Sequence, residues 1–367
     1  MKICHVSSVH SRYDIRIYLK EIGSLRKAGY DVFFIVADGK GDESEKSILD
    51  IGLFKNKFSR IIFSRSKLYK KILEEKFDIC HLHDPELMPL GLKLKRKGKT
   101  IFFDSHEDTS KQLLTKPYLN KFMRLFSSKV FKFYEKYALK KYHHVFTATE
   151  SIKNTIEEIN KNVTTINNYP LLNEVSKEAR AVVEKRNEFC YTGGITEIRG
   201  IFELLRSLEN IPHIRLNLAG RFDFNILYQK AIEIAGWKQV NYFGFVSRKK
   251  MLEIFNKSIA GVVNYYACPN HTEAQPNKIF EYMSAGLPVI ISNFPLWRKL
   301  IESENCGICV DPMDPKAIAD AVQKIYEDPS LGQSMGENGR QAVLKKYNWT
   351  MEEKKLLQIY KTVVEKR

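Results

Sequence analysis

Short runs of apolar and β-branched residues alternate with longer stretches whose apolar positions recur at helical spacing. Strands that alternate with helices are typical of right-handed β-α-β units and of a parallel sheet covered on both faces. The pattern predicts strands at 2–7, 31–36, 60–64, 78–83, 100–104, 144–149, 188–192, 214–219, 240–244, 259–264, 287–292 and 307–311. It predicts helices near 16–28, 67–76, 86–97, 118–141, 200–208, 225–235, 248–257, 277–285, 314–327, 330–346 and 350–365.

The alternation breaks once, in a polar stretch without strand periodicity. We therefore predict an α/β protein with two Rossmann-like parallel-sheet domains, at 1–170 and 187–349, joined by a linker at 171–186. Residues 350–367 form a last helix. Ligands of such sheets bind beyond the carboxyl ends of the strands, so the expected site is a cleft between two facing domains.

Composition narrows the class of protein. The chain has 367 residues, of which 44 % are apolar and 28 % charged, which excludes disorder as its main state. The N-terminal MKICHVSSVH lacks the apolar region of a signal peptide, and we expect a cytoplasmic protein. Cys306 and Cys309 form a lone C-x-x-C without a second pair of ligands, which favours a short buried strand over a zinc site.

The positive charge is concentrated in one segment. The net charge is +16, and residues 111–141 hold nine basic residues and one acidic residue between apolar positions at helical spacing. Such a helix either lies on an anionic membrane surface or packs on its own sheet with a solvated basic face. Nucleic acid is not an expected partner, because the chain has no helix-turn-helix, zinc-finger or RNA-binding aromatic signature.

One candidate site lies in HTEAQPNKIFEYMSAGLPVIIS, residues 271–292. Glu273 precedes a predicted helix that contains Glu281, and both carboxylates can face the cleft. The free amides of the helix start, near Asn277 and Lys278, can receive phosphate oxygens. An ordinary amphipathic helix with surface glutamates is the alternative.

A second candidate is TGGITEIRG, residues 192–200, directly after a predicted strand. Gly193 and Gly194 permit close approach of a ligand to the backbone, and Arg199 can grip a diphosphate with two hydrogen bonds. A plain tight turn is the alternative, since the GxxxxGK[ST] phosphate loop is absent.

Two further motifs follow strands of the first half, HLHDPELMP and FFDSHED. His83 and Asp84 could line an acceptor, and His106 and Glu107 could touch a sugar; helix capping by Asp84 is the alternative for that residue. The chain has no Asp-x-Asp motif, so we expect no metal, and a diphosphate would be neutralised by Arg, Lys and helix amides.

These motifs, with LAGRF, NYFGFVS, CGICVDPMDP, KYNW and HVSSVHSRYDIRI, resemble the retaining GT-B glycosyltransferases of family four, in particular a bacterial surface-polysaccharide branch. The resemblance covers nearly the whole chain. It implies that Glu281 holds the ribose, Glu273 the donor sugar and Arg199 the diphosphate, and that His106 approaches the transferred sugar. It also implies that Gly244, Phe245 and Val246 read the base, and that the last helix crosses back to the first domain.

One position departs from the family pattern. Many relatives carry an Arg where this chain has Gly193, so one diphosphate cation is missing and Lys278 or Arg221 would replace it. The resemblance implies retaining transfer from a nucleoside diphosphate-sugar to a glycan or polyprenyl-linked glycan, without further cofactor, at the inner face of the cell membrane. A sugar-nucleotide epimerase of the same two-domain form and a non-catalytic binding protein are the alternatives.

Overall fold

The computed structural model describes residues 1–106, 108–114, 120–174, 187–268 and 271–365. The chain divides into two compact units. Unit 1 comprises Met1–Asn168 and Trp349–Arg367, and unit 2 comprises Tyr169–Asn348. Most of the predicted linker, 171–186, lies outside the described residues, as does Glu107.

Unit 1 is built on a parallel sheet of seven strands in the order β3-β2-β1-β4-β5-β6-β7. Its strands are β1 (Lys2–Val6), β2 (Asp31–Val36), β3 (Ile48–Asp50), β4 (Ile79–Leu82), β5 (Thr100–Ser105), β6 (His144–Thr147) and β7 (Val163–Thr165). Its longer helices are Ile15–Ile22, which is π-helical, Gly23–Lys27, Lys57–Glu74, Met88–Lys95, Thr109–Leu114, Lys121–Leu139, Glu150–Glu157 and Trp349–Glu365.

The predicted strand at 60–64 is wrong, because these residues lie inside the helix Lys57–Glu74. Asn56 and Ser59 form a capping box that starts this helix, and Ser64, Leu68 and Ile72 are its buried positions, four residues apart. The capping box and the helical spacing prevail over the β-propensity of two adjacent isoleucines. The third strand along the chain is instead β3. Its three residues are too few to show a periodic pattern of apolar and polar positions.

The prediction that the last helix returns to the first domain is confirmed. Helix Trp349–Glu365 belongs to unit 1, where the indole of Trp349 donates a 2.9 Å hydrogen bond to the hydroxyl of Ser24. Tyr360, five residues before the end of this helix, is fully buried in the same unit. The helix is therefore part of the core of unit 1.

Unit 2 repeats the architecture with six parallel strands in the order β10-β9-β8-β11-β12-β13, which confirms the predicted fold class. Its strands are β8 (Glu188–Thr192), β9 (Arg215–Ala219), β10 (Val240–Gly244), β11 (Gly261–Val263), β12 (Val289–Ser292) and β13 (Gly307–Val310). Its longer helices are Ile201–Ser207, Asn225–Ile232, Arg248–Lys257, Asn277–Ser284, Pro295–Glu304, Pro315–Glu327 and Pro329–Lys345.

Candidate functional site

The glycine pair follows β8 in a backbone conformation that requires glycine. Gly193 has a φ of +136°, and its amide donates a 2.9 Å hydrogen bond to the carbonyl of Ala219 at the end of β9. A side chain at Gly220 would collide with the carbonyl oxygen of Gly193. The turns after β8 and β9 are therefore packed backbone against backbone, at the end of the sheet where ligands of parallel α/β sheets bind.

Two cations flank this turn. Arg199 Nη1 donates a 3.1 Å hydrogen bond to the carbonyl of Gly194, and its guanidinium lies 5.3 Å from the ring centre of Tyr265. The Lys278 side chain also lies next to this turn, because a Cβ atom placed on Gly193 would be 3.5 Å from Lys278 Cε. The structure thus brings the glycine pair, Arg199 and Lys278 together, as an anion site requires.

The helix Asn277–Ser284 begins next to the same turn. Pro276 precedes its first residue, and among the described residues no side chain caps the amides of its first turn. The hydroxyl of Tyr282 accepts a 2.9 Å hydrogen bond from the amide of Thr192, which ties this helix to the end of β8. The indole of Trp297 donates to the carbonyl of Ala274 at 2.7 Å and fixes the preceding loop. The uncapped amides are therefore held in place for an anionic group.

Glu281 is largely buried between cations. Its Oε2 lies 2.6 Å from Lys278 Nζ and 3.8 Å from a terminal nitrogen of Arg248. Arg248 also bonds Glu174 at 2.9 Å, and the sequence analysis missed it, although it begins a helix directly after the NYFGFVS motif. Lys278 is thus paired with Glu281. Arg199, the other cation at the glycine turn, contacts no carboxylate among the described residues.

Glu273 differs from Glu281 in its surroundings. It is exposed in the turn His271–Glu273, four residues before the helix begins. The ring Nδ1 of His271 lies 3.0 Å from the carbonyl of Tyr266, which anchors the turn to the segment after β11.

At the end of β10, one backbone carbonyl already accepts a hydrogen bond from within unit 2. Gly244, with φ +61°, accepts a 2.8 Å hydrogen bond from the amide of Gly220 through its carbonyl. The guanidinium of Arg221 stacks 4.8 Å from the ring centre of the exposed Phe245, whereas Val246 packs against the core. Base recognition by this loop would therefore use groups other than the Gly244 carbonyl.

In unit 1, His106 follows β5 beside a buried ion pair. Arg16 donates to both carboxylate oxygens of Asp104 at 3.0 Å, and Asp104 Oδ2 lies 3.7 Å from His106 Nδ1. Burial alone would raise the pKa of Asp104, but the charge of Arg16 holds it well below its usual range. Burial lowers the pKa of His106 to about 3, so its ring is neutral at physiological pH.

The other two candidates of unit 1 are buried. Asp84 accepts hydrogen bonds from the amide of Ser8 at 2.6 Å and from the hydroxyl of Ser7 at 3.2 Å. It makes no helix-capping hydrogen bond, so the capping alternative is wrong: its carboxylate closes the loop after β1. His83 Nε2 lies 2.9 Å from His5 Nδ1 in the core.

The sequence analysis missed the partners of His83. They are His5, His81 and Glu21, whose side chains the structure gathers around His83, while Tyr360 contacts His81 and His5. The available signal was the alternation in HLH, which places His81 and His83 on one face of β4. Within the described ranges, two groups could hold a metal ion: His5 with Glu21, His81 and His83, and His83 with Asp104 and His106.

Two family models match the chain. "Glycosyltransferase Family 4" matches residues 3–169, and "Glycosyl transferases group 1" matches residues 173–342. The chain is 24 % identical to the capsular polysaccharide biosynthesis glycosyltransferase CapM of Staphylococcus aureus, over 98 % of this chain and 97 % of that protein. It is 25 % identical to the phosphatidyl-myo-inositol mannosyltransferase of Mycolicibacterium smegmatis, over 81 % of this chain and 74 % of that protein.

Solved structures share the fold at low identity. Sucrose-phosphate synthase from Thermosynechococcus elongatus has a TM-score of 0.79 at 17 % identity and covers all of both chains. Anabaena HepE in complex with UDP-glucose has a TM-score of 0.72 at 12 % identity, over 99 % of this chain and all of that one.

Proposed function

Because the chain is a glycosyltransferase of the GT-B fold and the family-four type, we propose that it transfers a sugar from a nucleoside diphosphate-sugar to a glycan with retention of anomeric configuration. The observation that carries the donor assignment is the Gly193–Gly194 turn, flanked by Arg199 and Lys278 beside an uncapped helix start. The likeness to CapM supports a role in surface-polysaccharide synthesis.

The leaving group is the expected target of these charges. As the glycosidic bond to the donor breaks, negative charge develops on the diphosphate, and preorganised donors that face this charge lower the barrier. Arg199 supplies a guanidinium and the helix Asn277–Ser284 supplies amides. In this proposal Glu281 accepts hydrogen bonds from the ribose hydroxyls and Glu273 from the donor sugar, and transfer needs no divalent cation.

His106 acts in this proposal as a neutral group. Burial lowers its pKa and outweighs the opposite effect of the nearby Asp104 charge, so the ring offers a hydrogen-bond donor and an acceptor to a sugar hydroxyl without adding charge. The departing diphosphate then receives the proton of the attacking acceptor hydroxyl on the same face of the sugar, which accounts for retention without a separate base.

A lipid-linked acceptor is supported by the surface of unit 1. Helix Lys121–Leu139 exposes Phe122, Phe126 and Phe133 to 76 %, 63 % and 78 %. It carries five basic residues and one acidic residue. Helix Lys57–Glu74 of the same unit exposes Phe58 and Phe63 as well.

Exposed aromatic rings between cations suit an anionic lipid surface better than a helix packed on its own sheet. No helix among the described residues combines the length and apolar character needed to cross a membrane. We therefore propose attachment to the inner face of the cell membrane, where a polyprenyl-linked glycan is the acceptor. The name of the mycolicibacterial relative, which specifies a phosphatidylinositol acceptor, supports this proposal.

Binding and product formation test the proposal together. A specific nucleoside diphosphate at 100 times its dissociation constant should stabilise the protein by about 2.7 kcal/mol. Arg199→Gln should lose most of this stabilisation. Arg206→Gln is the matched control, because the exposed Arg206 pairs with Glu203 in the next helix, and it should retain the effect.

The product separates the alternatives. A transferase forms a glycosidic bond only when an acceptor is present, and the anomeric configuration of that bond is read by NMR. An altered free nucleotide-sugar formed without acceptor would indicate an epimerase. Nucleotide binding without turnover on any polyprenyl or glycan acceptor would favour a binding protein.

A further inference from the structure

Three histidines and a glutamate meet inside unit 1 in a cluster to which the transfer proposed above assigns no role. His5 on β1 and His81 on β4 are direct neighbours in the sheet register, and His83 follows β4. Glu21 approaches from the helix Ile15–Ile22. All four are buried, and one ligand atom from each lies within 4.8 Å of the others.

The distances between these side-chain atoms fit a single tetrahedral ion. His5 Nδ1 lies 2.9 Å from His83 Nε2, and Glu21 Oε2 lies 3.7 Å from the first and 3.9 Å from the second. Zinc bonds of about 2.0–2.1 Å in a tetrahedron place neighbouring ligand atoms roughly 3.3–3.4 Å apart. The three atoms already surround a space of that size.

The hydrogen bonds of the cluster leave several polar atoms without a partner. His5 and His83 share one hydrogen bond, and Tyr360 Oη lies 2.8 Å from His81 Nδ1 and 3.2 Å from His5 Nε2. Among the described residues, both carboxylate oxygens of Glu21 and the Nε2 of His81 have no hydrogen-bond partner. Buried polar atoms are nearly always paired, so these atoms indicate a missing ligand.

Arg16 reaches only one side of Glu21. Its Nε forms an ion pair with Glu21 Oε1 at 3.1 Å, while that N–H donates to Asp104 Oδ2 at 3.0 Å. The other oxygen, Oε2, faces His5 and His83 at 3.7 and 3.9 Å. A cation between the histidines and Glu21 would pair with this second oxygen.

The outer contacts are also those of a metal site. A histidine that binds metal with one ring nitrogen generally directs the other toward a carboxylate, carbonyl or hydroxyl group. His5 and His81 each direct one nitrogen to Tyr360 Oη. His83 Nδ1 faces Asp104 Oδ2 at 3.6 Å, beyond hydrogen-bond distance. Toward the centre of the cluster, His81 Nε2 has no hydrogen-bond partner among the described residues, and the other nitrogens of His5 and His83 face each other at 2.9 Å.

We propose that unit 1 binds one zinc ion through His5, Glu21, His81 and His83. Three imidazoles and one carboxylate suit zinc, and four protein ligands with no open position describe a structural site. The ion would join β1, β4 and the helix Ile15–Ile22, with the last helix attached through Tyr360. The second candidate group, which contains Asp104 and His106, is disfavoured as a metal site. Arg16 already donates hydrogen bonds to both carboxylate oxygens of Asp104.

Metal content of the purified full chain tests the site without any activity assay. After expression in zinc-supplemented medium and passage over a chelating resin, mass spectrometry of the metals should find about one zinc per chain. Protein produced with cobalt instead should show the intense visible d–d bands of a tetrahedral ion. It should show no thiolate charge-transfer band, since no cysteine takes part.

Three variants locate the ion. Glu21→Gln keeps the shape of the side chain and should lose the zinc. Tyr360→Phe removes only an outer contact and should weaken zinc binding by about 10- to 100-fold. The control is His144→Gln, since His144 is buried in the same sheet and bonds Thr164 outside the cluster; it should retain the full zinc content.

Two results would overturn the proposal. One is zinc-free protein from zinc-supplemented cells that also fails to take up zinc on refolding. The other is equal zinc content in the wild type and in a folded Glu21→Gln variant, which would place any bound ion elsewhere. If Glu21→Gln does not fold, the cobalt spectrum of the wild type decides, because thiolate bands would assign the ion to a cysteine site.

Discussion

The exposed aromatic and basic side chains of helix Lys121–Leu139 lead to a prediction about membrane attachment. We expect the wild type to bind anionic vesicles, and a variant with four cations of helix Lys121–Leu139 neutralised to bind them far more weakly. The changed residues are Lys121, Arg124, Lys129 and Lys132, all replaced by Gln. The aromatic residues of the helix stay in place, so the variant isolates the contribution of charge.

The structure sets the magnitudes. Each cation near an anionic surface contributes about 1 kcal/mol, so the four changes should cost roughly 4 kcal/mol, or about a thousandfold in partitioning. Complete burial of a Phe side chain contributes about 1.5–3 kcal/mol. Since Phe122, Phe126 and Phe133 are each exposed by 63–78 %, their insertion contributes roughly 3–6 kcal/mol together. Charge and apolar burial are therefore of similar size.

Liposome flotation measures both contributions. Vesicles with anionic lipid should carry the wild type at low salt and release much of it at high salt, because screening shortens the reach of exposed charges to about 8 Å at physiological ionic strength. A variant with Phe122, Phe126 and Phe133 changed to Ser should retain a weak, fully salt-sensitive attachment. The matched charge control carries four Lys→Gln changes at exposed positions of unit 2, namely Lys230, Lys238, Lys257 and Lys324.

Two outcomes refute the reasoning. Equal flotation of the wild type and the four-cation variant would show that this helix does not face lipid. Equal loss in the unit 2 control would show that only net charge matters and that no particular surface binds. In either case the proposal of a lipid-linked acceptor loses its structural support.

Four further outcomes are expected. Glu281→Gln should weaken nucleotide binding roughly 10- to 150-fold, the equivalent of a charge-assisted hydrogen bond of about 1.5–3 kcal/mol; an unchanged affinity by calorimetry would remove Glu281 from the donor site. A methyl group at Gly194 would lie 2.8 Å from Arg199 Nη1. Gly194→Ala should therefore displace Arg199 and weaken nucleotide binding, while its melting temperature without ligand matches that of Gly23→Ala, a control in an open helical position. Burial raises the pKa of Glu135 to about 7, so this carboxylate is ionised above pH 7 and neutral below it. Attachment to anionic vesicles should strengthen from pH 8 to pH 6, and Glu135→Gln should remove much of that dependence. Turnover should survive EDTA; a loss that only manganese or magnesium restores would contradict a donor site without metal.

Local patterns in the sequence were sufficient to predict most elements of both sheets. EFCYT at β8 and VIIS at β12 are apolar runs between turn signals, and parallel strands covered on both faces read in this way. The glycine pair was predictable for the same local reason, since a turn after β8 with positive φ favours glycine. The error at 60–64 arose because two isoleucines favour a strand until the capping box of the helix is considered.

The charge of residues 111–141 was evident from the sequence, but the exposure of their rings was not. Apolar positions at helical spacing predict one face that is buried against something, and they do not specify what covers it. The structure leaves Phe122 and Phe133 exposed, so only tertiary packing distinguished an exposed aromatic face from a buried one.

The buried cluster of unit 1 depended entirely on tertiary structure. Alternation along β4 places His81 and His83 on one face, and that much is local. Their meeting with His5 requires β4 to pair with β1. The contact of His81 with Tyr360, 279 residues further along the chain, requires the last helix to return to the same face. Hydrophobic periodicity determines which face of an element is buried, because that face recurs every two or 3.6 residues. Strand order and the path of the last helix determine which buried faces meet, and only the folded chain decides them.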